Sequence, residues 1–434
     1  MLTANLTEHE PGSLRRRRAA AWEEFARHPM PTPKSEEWRY TDISGLDVES
    51  YQPLLATGPG RENGGAPTQA AIPAPVQKVL DNGQARSAVM VQDGGQVIHT
   101  ELDPELKDKG VLFAPLLEVL ESHPELIERY LFASTVGSAE AKLWALHSAT
   151  VSDGYVLHVP AGVVVPDPVH VLRHLGEPGA LVSTHSLIIT ETGSAVTCVD
   201  EYVSPDLEPG SLSLNGAEIF GAENASVNFI SLQLYGSGVK HFSMQHANTR
   251  RDSRLSGFNV TLGADLARSD VTSHLEGEAG SSEMLALWFG DRSQHFDHHT
   301  LQHHQAAHTR SDLLYKGALT GAARSVFRGL IRVDPKAQLT DAYQTNRNLL
   351  LSEDAAATSL PNLEIEADDV RCSHGATVGQ VDEAQMFYLM SRGLSPKQAE
   401  RLLVFGFFEE VLSRVPVDGV RDRVRQAIEE KIGL

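Results

Sequence analysis

Two side chains near the C-terminal end of this 434-residue chain have the types and spacing of metal ligands: Cys372 and His374. They stand two apart in Arg371-Cys372-Ser373-His374-Gly375, inside a stretch (362–379) that reads as a strand, with Asp368 and Asp369 just before it. Residues i and i+2 of a strand leave the same face, their Cα atoms roughly 6–7 Å apart. A thiolate beside an imidazole suits iron, zinc or copper rather than magnesium or calcium. Two ligands do not close a tetrahedral site, so the remaining ligands must come from elsewhere. The second cysteine, Cys198, lies in the apolar strand Ala195-Val196-Thr197-Cys198-Val199 and reads as a buried, inert core residue.

A histidine cluster, His295, His298, His299, His303, His304 and His308, offers a second candidate. In a strand, His295, Asp297 and His299 share one face, while His298, Thr300 and His304 share the other. Three histidines can hold zinc or iron, but histidines also fill polar ladders and turns of β-solenoids without binding anything. No His-Glu-x-x-His motif accompanies them, so both readings stay open. The phosphate-loop, dinucleotide-binding and nucleophile-elbow motifs are absent, so nothing reads as a self-sufficient active site.

The elements that must position these residues fall into three parts. Residues 1–148 read as a mainly helical domain, with helical composition over Leu14–His28 ending before Pro31-Thr32-Pro33, a flexible segment near 56–75, and helical runs from Pro104 to about Ser148. At Asp153-Gly154 the texture changes, and residues 149–376 form a core of short β-rich segments such as Leu187–Thr190, Ala225–Leu234 and Val326–Val333. Asn-Gly hairpin signals are sparse there, and stacked coils leave free sheet edges only at their two ends. A parallel β-helix fits better than a sandwich or barrel. Residues 377–434 are helical again: Asp382 to Arg392 stops at Gly393, and Ser395-Pro396-Lys397-Gln398 is a capping box. In the run Leu402–Phe408, the residues Leu402, Leu403, Phe405, Phe407 and Phe408 are more apolar surface than one amphipathic stripe needs. Some of them are expected to meet a partner.

The chain exceeds the size at which a single core stops growing, about 250–300 residues. Its net charge of −20 argues against nucleic acid or an anionic membrane as partner. Two cysteines 174 positions apart exclude a disulfide framework and fit the reducing cytoplasm. No apolar run approaches the ~20 residues of a membrane span, and the basic run Arg15–Arg18 lacks the apolar region of a signal peptide.

Several segments together resemble the SufB/SufD family of the Suf iron–sulfur cluster assembly machinery. They are Pro31-Thr-Pro-Lys-Ser-Glu-Glu37-Trp38-Arg-Tyr40-Thr41, the opening Asp153-Gly154, the mid-core Asp297-His-His299-Thr300 with His304, Ser311 and Tyr315-Lys316-Gly317, and the strand Leu363 to Thr377 followed by Gly379-Gln380 and Phe387-Tyr388-Leu389. The Cys-x-His strand is SufD-like. SufB-like members carry a cysteine where this chain has Asn346, in Tyr343-Gln344-Thr345-Asn346-Arg347-Asn348.

The resemblance implies a right-handed parallel β-helix flanked by N- and C-terminal helical domains. It implies a non-catalytic scaffold subunit that forms a heterodimer with SufB, with a homodimer as the alternative when SufB is missing. The SufC ATPase would dock through the C-terminal helices. Cys372 and His374 would then face a SufB thiolate across the interface where a transient iron–sulfur cluster forms, with no cofactor held tightly by the isolated chain. Two rivals remain at the level of sequence. One is a β-helix hydrolase or lyase of polysaccharides, which the 6% aromatic content does not favour; the other is a free-standing metalloprotein built on His295–His308.

Overall fold

The computed structural model describes residues 12–55 and 71–433. Of the flexible segment expected near 56–75, residues 56–70 lie outside the described residues. From Asp153 to Gln380 the chain winds as a parallel β-helix with eight strands in each of two sheets, and four strands from the N-terminal region bring each sheet to ten. Successive strands alternate between the sheets, and each pairs in parallel with the strand one coil away. In-register partners are 26–32 residues apart, as Lys240 with Leu266 and Arg324 with Ala356.

Alternation of side chains explains the core. In the strand Ser281–Gly290, Met284, Ala286 and Trp288 point into the lumen and stack with Phe296, Tyr315 and Phe327 from neighbouring coils. The alternate residues Leu285, Leu287 and Phe289 point outward and are buried by the C-terminal helices. Both faces of that strand are therefore apolar, which is why it reads as a continuous hydrophobic run.

The N-terminal region departs from the mainly helical expectation. The helix Gly12–Arg27 is present and is tied to Ala141–Thr150 by Arg18, whose guanidinium donates to the carbonyls of Ala149 (3.0 Å) and Val151 (2.6 Å). Yet Ala88–Asp93 and Gln96–Leu102 form a hairpin that extends the second sheet, with Ala88–Asp93 pairing in parallel with Val169–His174. The turn is Gly94-Gly95, both at positive φ (54° and 81°), the pair of left-handed positions a two-residue hairpin loop requires. Leu112, expected in a helical run, begins the strand Leu112–Pro115, antiparallel to Asp153–Val159. Phe113 and Ala114 are buried there, and Pro115 confines the helix to the residues after it, Leu116–Ser122.

At the other end, the helices Glu383–Ser391, Pro396–Leu412 and Asp418–Ile432 follow the expected boundaries. Asp382 caps the first, accepting from the amides of Ala384 and Gln385; Gly393 follows it at φ 96°. Ser395 and Gln398 form the capping box of the second.

Candidate metal centre

The strand Val370–Gln380 is the last of the second sheet and pairs only with Thr340–Leu350; its other edge is unpaired among the described residues. The last strand of the first sheet, Ala356–Ile365, is likewise terminal, and its Pro361 suits an edge that needs no further ladder donor. The β-helix thus ends in an open coil. Cys372 and His374 lie on its lumen side.

Alternation places Val370 and Cys372 inward, against Ile331, Val333, Ala342 and Leu363. Cys372 is in register with Ala342 and His374 with Gln344. Burial pushes the Cys372 thiol up, the Asp341 carboxylate adds to the effect, and a backbone hydrogen bond at Ala342 opposes it. The group is a protonated thiol at neutral pH, and a metal must displace its proton. His374 is exposed and makes no hydrogen bond or ion pair among the described residues. Two residues of strand rise set the pair roughly 6–7 Å apart along the backbone. Among the described residues no group of three or more histidines, cysteines or carboxylates is arranged to hold a metal ion. What this chain offers here is one thiol and one imidazole on an open edge.

Asn346 is sealed inside the lumen at 1% exposure. Its amide donates to the Tyr315 carbonyl (3.2 Å), while its oxygen accepts from Asn348 Nδ2 and Ser359 Oγ, both at 2.7 Å. It is a satisfied bridge between neighbouring strands. Cys198 is fully buried, and burial drives its thiol pKa well above the ordinary value.

The histidine cluster divides by face as the period of two requires. His298 faces the lumen and stacks on Trp288 at 4.4 Å, and His304 bonds Thr309 and Ser311, each at 2.8 Å. On the outer face, Thr41 donates to Asp297 (2.6 Å) and contacts His295 Nε2 (2.8 Å). Arg268 lies 3.7 Å over the Trp38 ring, donates to the Glu37 carbonyl at 3.0 Å, and pairs with Asp270 (2.8 Å) and Asp297 (3.0 Å). Burial would raise the Asp297 carboxyl, but the His299 and Arg268 charges outweigh it and hold it well below the usual carboxylate range. The segment Glu36–Thr41 and the mid-core pattern are two halves of one latch. That contact accounts for residues whose spacing had also suggested a ligand set.

The apolar residues of the C-terminal helices divide as well. Phe408 is fully buried against the outer face of the second sheet, and Phe405 and Phe407 pack against the same cluster. Lys316 Nζ donates to the Phe407 carbonyl at 2.9 Å and fixes that turn to the sheet. Leu402 is 53% exposed and, with Leu403, Tyr388 and Leu389, lines an apolar groove of about 410 Å³. The helix Glu383–Ser391 buries none of its residues, and Phe387 stands 74% exposed. Phe387 and Tyr388 lie outside the run Leu402–Phe408 whose apolar excess the sequence marks. The signal was available in an apolar helix followed directly by another apolar run.

Two family descriptions between them match this chain from residue 2 to residue 407. The SufBD protein N-terminal region covers residues 2–171, and the SufBD core domain of SUF system FeS cluster assembly covers residues 173–407. The chain belongs to the SufBD family. It is 31% identical over 431 residues to the iron–sulfur cluster assembly protein SufD of Bacillus subtilis, spanning 98% of this chain and 95% of that protein. A SufBD family iron–sulfur cluster assembly protein of Synechocystis is 29% identical over 92% of this chain and 87% of its own length. A Mycobacterium leprae member is 34% identical over 64% of this chain and 72% of its own. This SufBD protein is thus a component of iron–sulfur cluster assembly, and among its described residues no helix is long and apolar enough to cross a membrane.

Proposed function

We propose that the chain is the SufD-type scaffold subunit of a SufB–SufC–SufD complex, without catalytic chemistry of its own. The observation that carries this reading is half a ligand set on an unpaired coil end. Cys372 and His374 supply one thiolate and one imidazole, a combination compatible with iron–sulfur ligation. The partner supplies the rest, so the nascent cluster is cargo at the junction. An unpaired edge strand is also the surface on which another β-helix pairs its own last coil. In SufB's absence the same edge serves a second copy of this chain.

The exposed residues Phe387, Tyr388 and Leu402 support docking of the SufC ATPase on the C-terminal helices, which work in the cytoplasm. Phe408 and its neighbours anchor those helices to the β-helix, so movement of the ATPase is transmitted to the coil. Reconstitution tests the reading. The chain is co-expressed with SufB and SufC and loaded with iron and sulfide. A His374→Ala variant should assemble normally and mature clusters more slowly. Normal maturation by an intact complex would overturn the assigned role.

A further inference from the structure

The outer face of the first sheet carries a cleft of about 370 Å³ that the assembly role does not use. It lies between residues 135–140 and four adjacent strands, Val239–Thr249, Leu266–Leu275, His295–His304 and Arg324–Val333. Asn248, His274, His303 and Arg332 are in register across those strands and form one row on its wall. With strands about 4.8 Å apart, the row spans roughly 14 Å. Two residues back on the same face, Leu301 and Leu330 give the cleft an apolar floor.

The row is chemically graded. His274 is 7% exposed and Asn248 is half-buried as a residue, yet the Asn248 Nδ2 and His274 Nε2 atoms are themselves buried and have no hydrogen-bond partner. Buried polar groups are ordinarily paired. Burial brings His274 down to about 4, so its ring is neutral at neutral pH. At the mouth, Asp334 sits 2.9 Å from His303 and only 4.0 Å from Arg332, whose side chain is 47% exposed. Every other carboxylate at the cleft has a closer cation: Glu140 has His246 (3.0 Å), Asp270 has Arg268 (2.8 Å), Glu276 has Arg250 (3.0 Å) and Glu36 has Arg328 (2.9 Å). The loosely held guanidinium suits one negative charge, and the two bare nitrogens ask for a neutral acceptor.

We propose that this cleft binds a small organic monocarboxylate with a carbonyl oxygen at its far end, such as a short keto acid. The carboxylate meets the planar fork of Arg332, a geometry that favours bidentate pairing. The aliphatic body rests on Leu301 and Leu330, and the carbonyl accepts from Asn248 Nδ2 and His274 Nε2. A dianion is disfavoured by the surrounding carboxylates.

Calorimetric titration of the full chain with levulinate, valerate and inorganic phosphate tests this. Levulinate should bind saturably, valerate (which lacks the carbonyl) about tenfold more weakly, and phosphate weaker still. Arg332→Gln, an exposed change that leaves the core intact, should cost levulinate about tenfold and leave the melting temperature unchanged. No saturable levulinate binding up to about 10 mM, equal affinity for valerate or phosphate, or an unaffected Arg332→Gln variant would each overturn the proposal.

Discussion

His374 is the in-register neighbour of Gln344, and one strand of the ladder separates a sealed side chain from an open one. Gln344 is 0% exposed, its amide donating across the lumen to the Asn362 carbonyl at 3.1 Å. Its oxygen occupies the space at Gly329, where an added Cβ would lie only 2.2 Å away. His374, in the next strand, has no such partner. The lumen column therefore passes from a braced interior to an exposed edge within a single coil.

Substitution at that edge should separate function from fold. His374→Ala is a surface change and should move stability by no more than about 0.5 kcal/mol, while Cys372→Ser, at a position half-buried against the terminal coil, should cost about 1 kcal/mol. Cluster maturation by the complex should fall, and most in the double variant. Mössbauer or absorption spectra during reconstitution check both points. A loss of folding in either single variant would contradict the edge placement.

The C-terminal helices should give the opposite pattern at two sets of positions. Phe408→Ala empties a fully buried site and should cost about 3–5 kcal/mol by denaturant unfolding. Phe387→Ser with Leu402→Ser should leave stability nearly unchanged while reducing capture of SufC in a pull-down. Full capture by that double variant would remove the docking role from this surface.

Acid should weaken the chain through its buried imidazoles. Burial lowers His298 to about 4, with neither ring nitrogen partnered, and lowers His304 to about 3. An unfolded imidazole titrates near 6.5, so the unfolded state binds more protons below that value. The stability these groups contribute is complete above about 6.5 and is lost as pH falls toward 4. His298→Phe, which keeps the stack on Trp288, should flatten the slope of stability against pH in that window, by up to about 3 kcal/mol at its lower end. Urea midpoints measured across the window provide the check.

The N-terminal latch should also be separable. Asp297→Asn leaves Arg268 with one buried carboxylate partner fewer, which should cost about 3–5 kcal/mol. Thr41→Val removes only the hydroxyl and should cost about 1–3 kcal/mol by leaving buried acceptors unpaired. Limited proteolysis should then cut first within residues 28–50.

Much of this architecture was legible in the residues because the β-helix rests on period-two alternation that local sequence carries. The strand edges near Ala225–Leu234 and Val326–Val333, the cap at Asp382 and the capping box at Ser395 all follow from local chemistry. The hairpin at Gly94-Gly95 was not read, because its strands are short and their burial depends on the distant Val169–His174. The period of two divides the histidines between two faces, but the partners Thr41 and Arg268 are brought in only by the fold. Likewise, no local pattern tells Phe408, spent on the core, from Leu402, left in solvent.

The open coil carries one last consequence, for supply rather than chemistry. A terminal strand with a bare row of amides and carbonyls, bordered by Leu339, Tyr343, Ile365 and Val378 at 39–49% exposure, is a template for any other extended chain. Molecules made in excess of whatever covers that edge will therefore associate with one another. Under the proposed heterodimer, the yield of well-behaved protein should track the ratio in which the two subunits are synthesised.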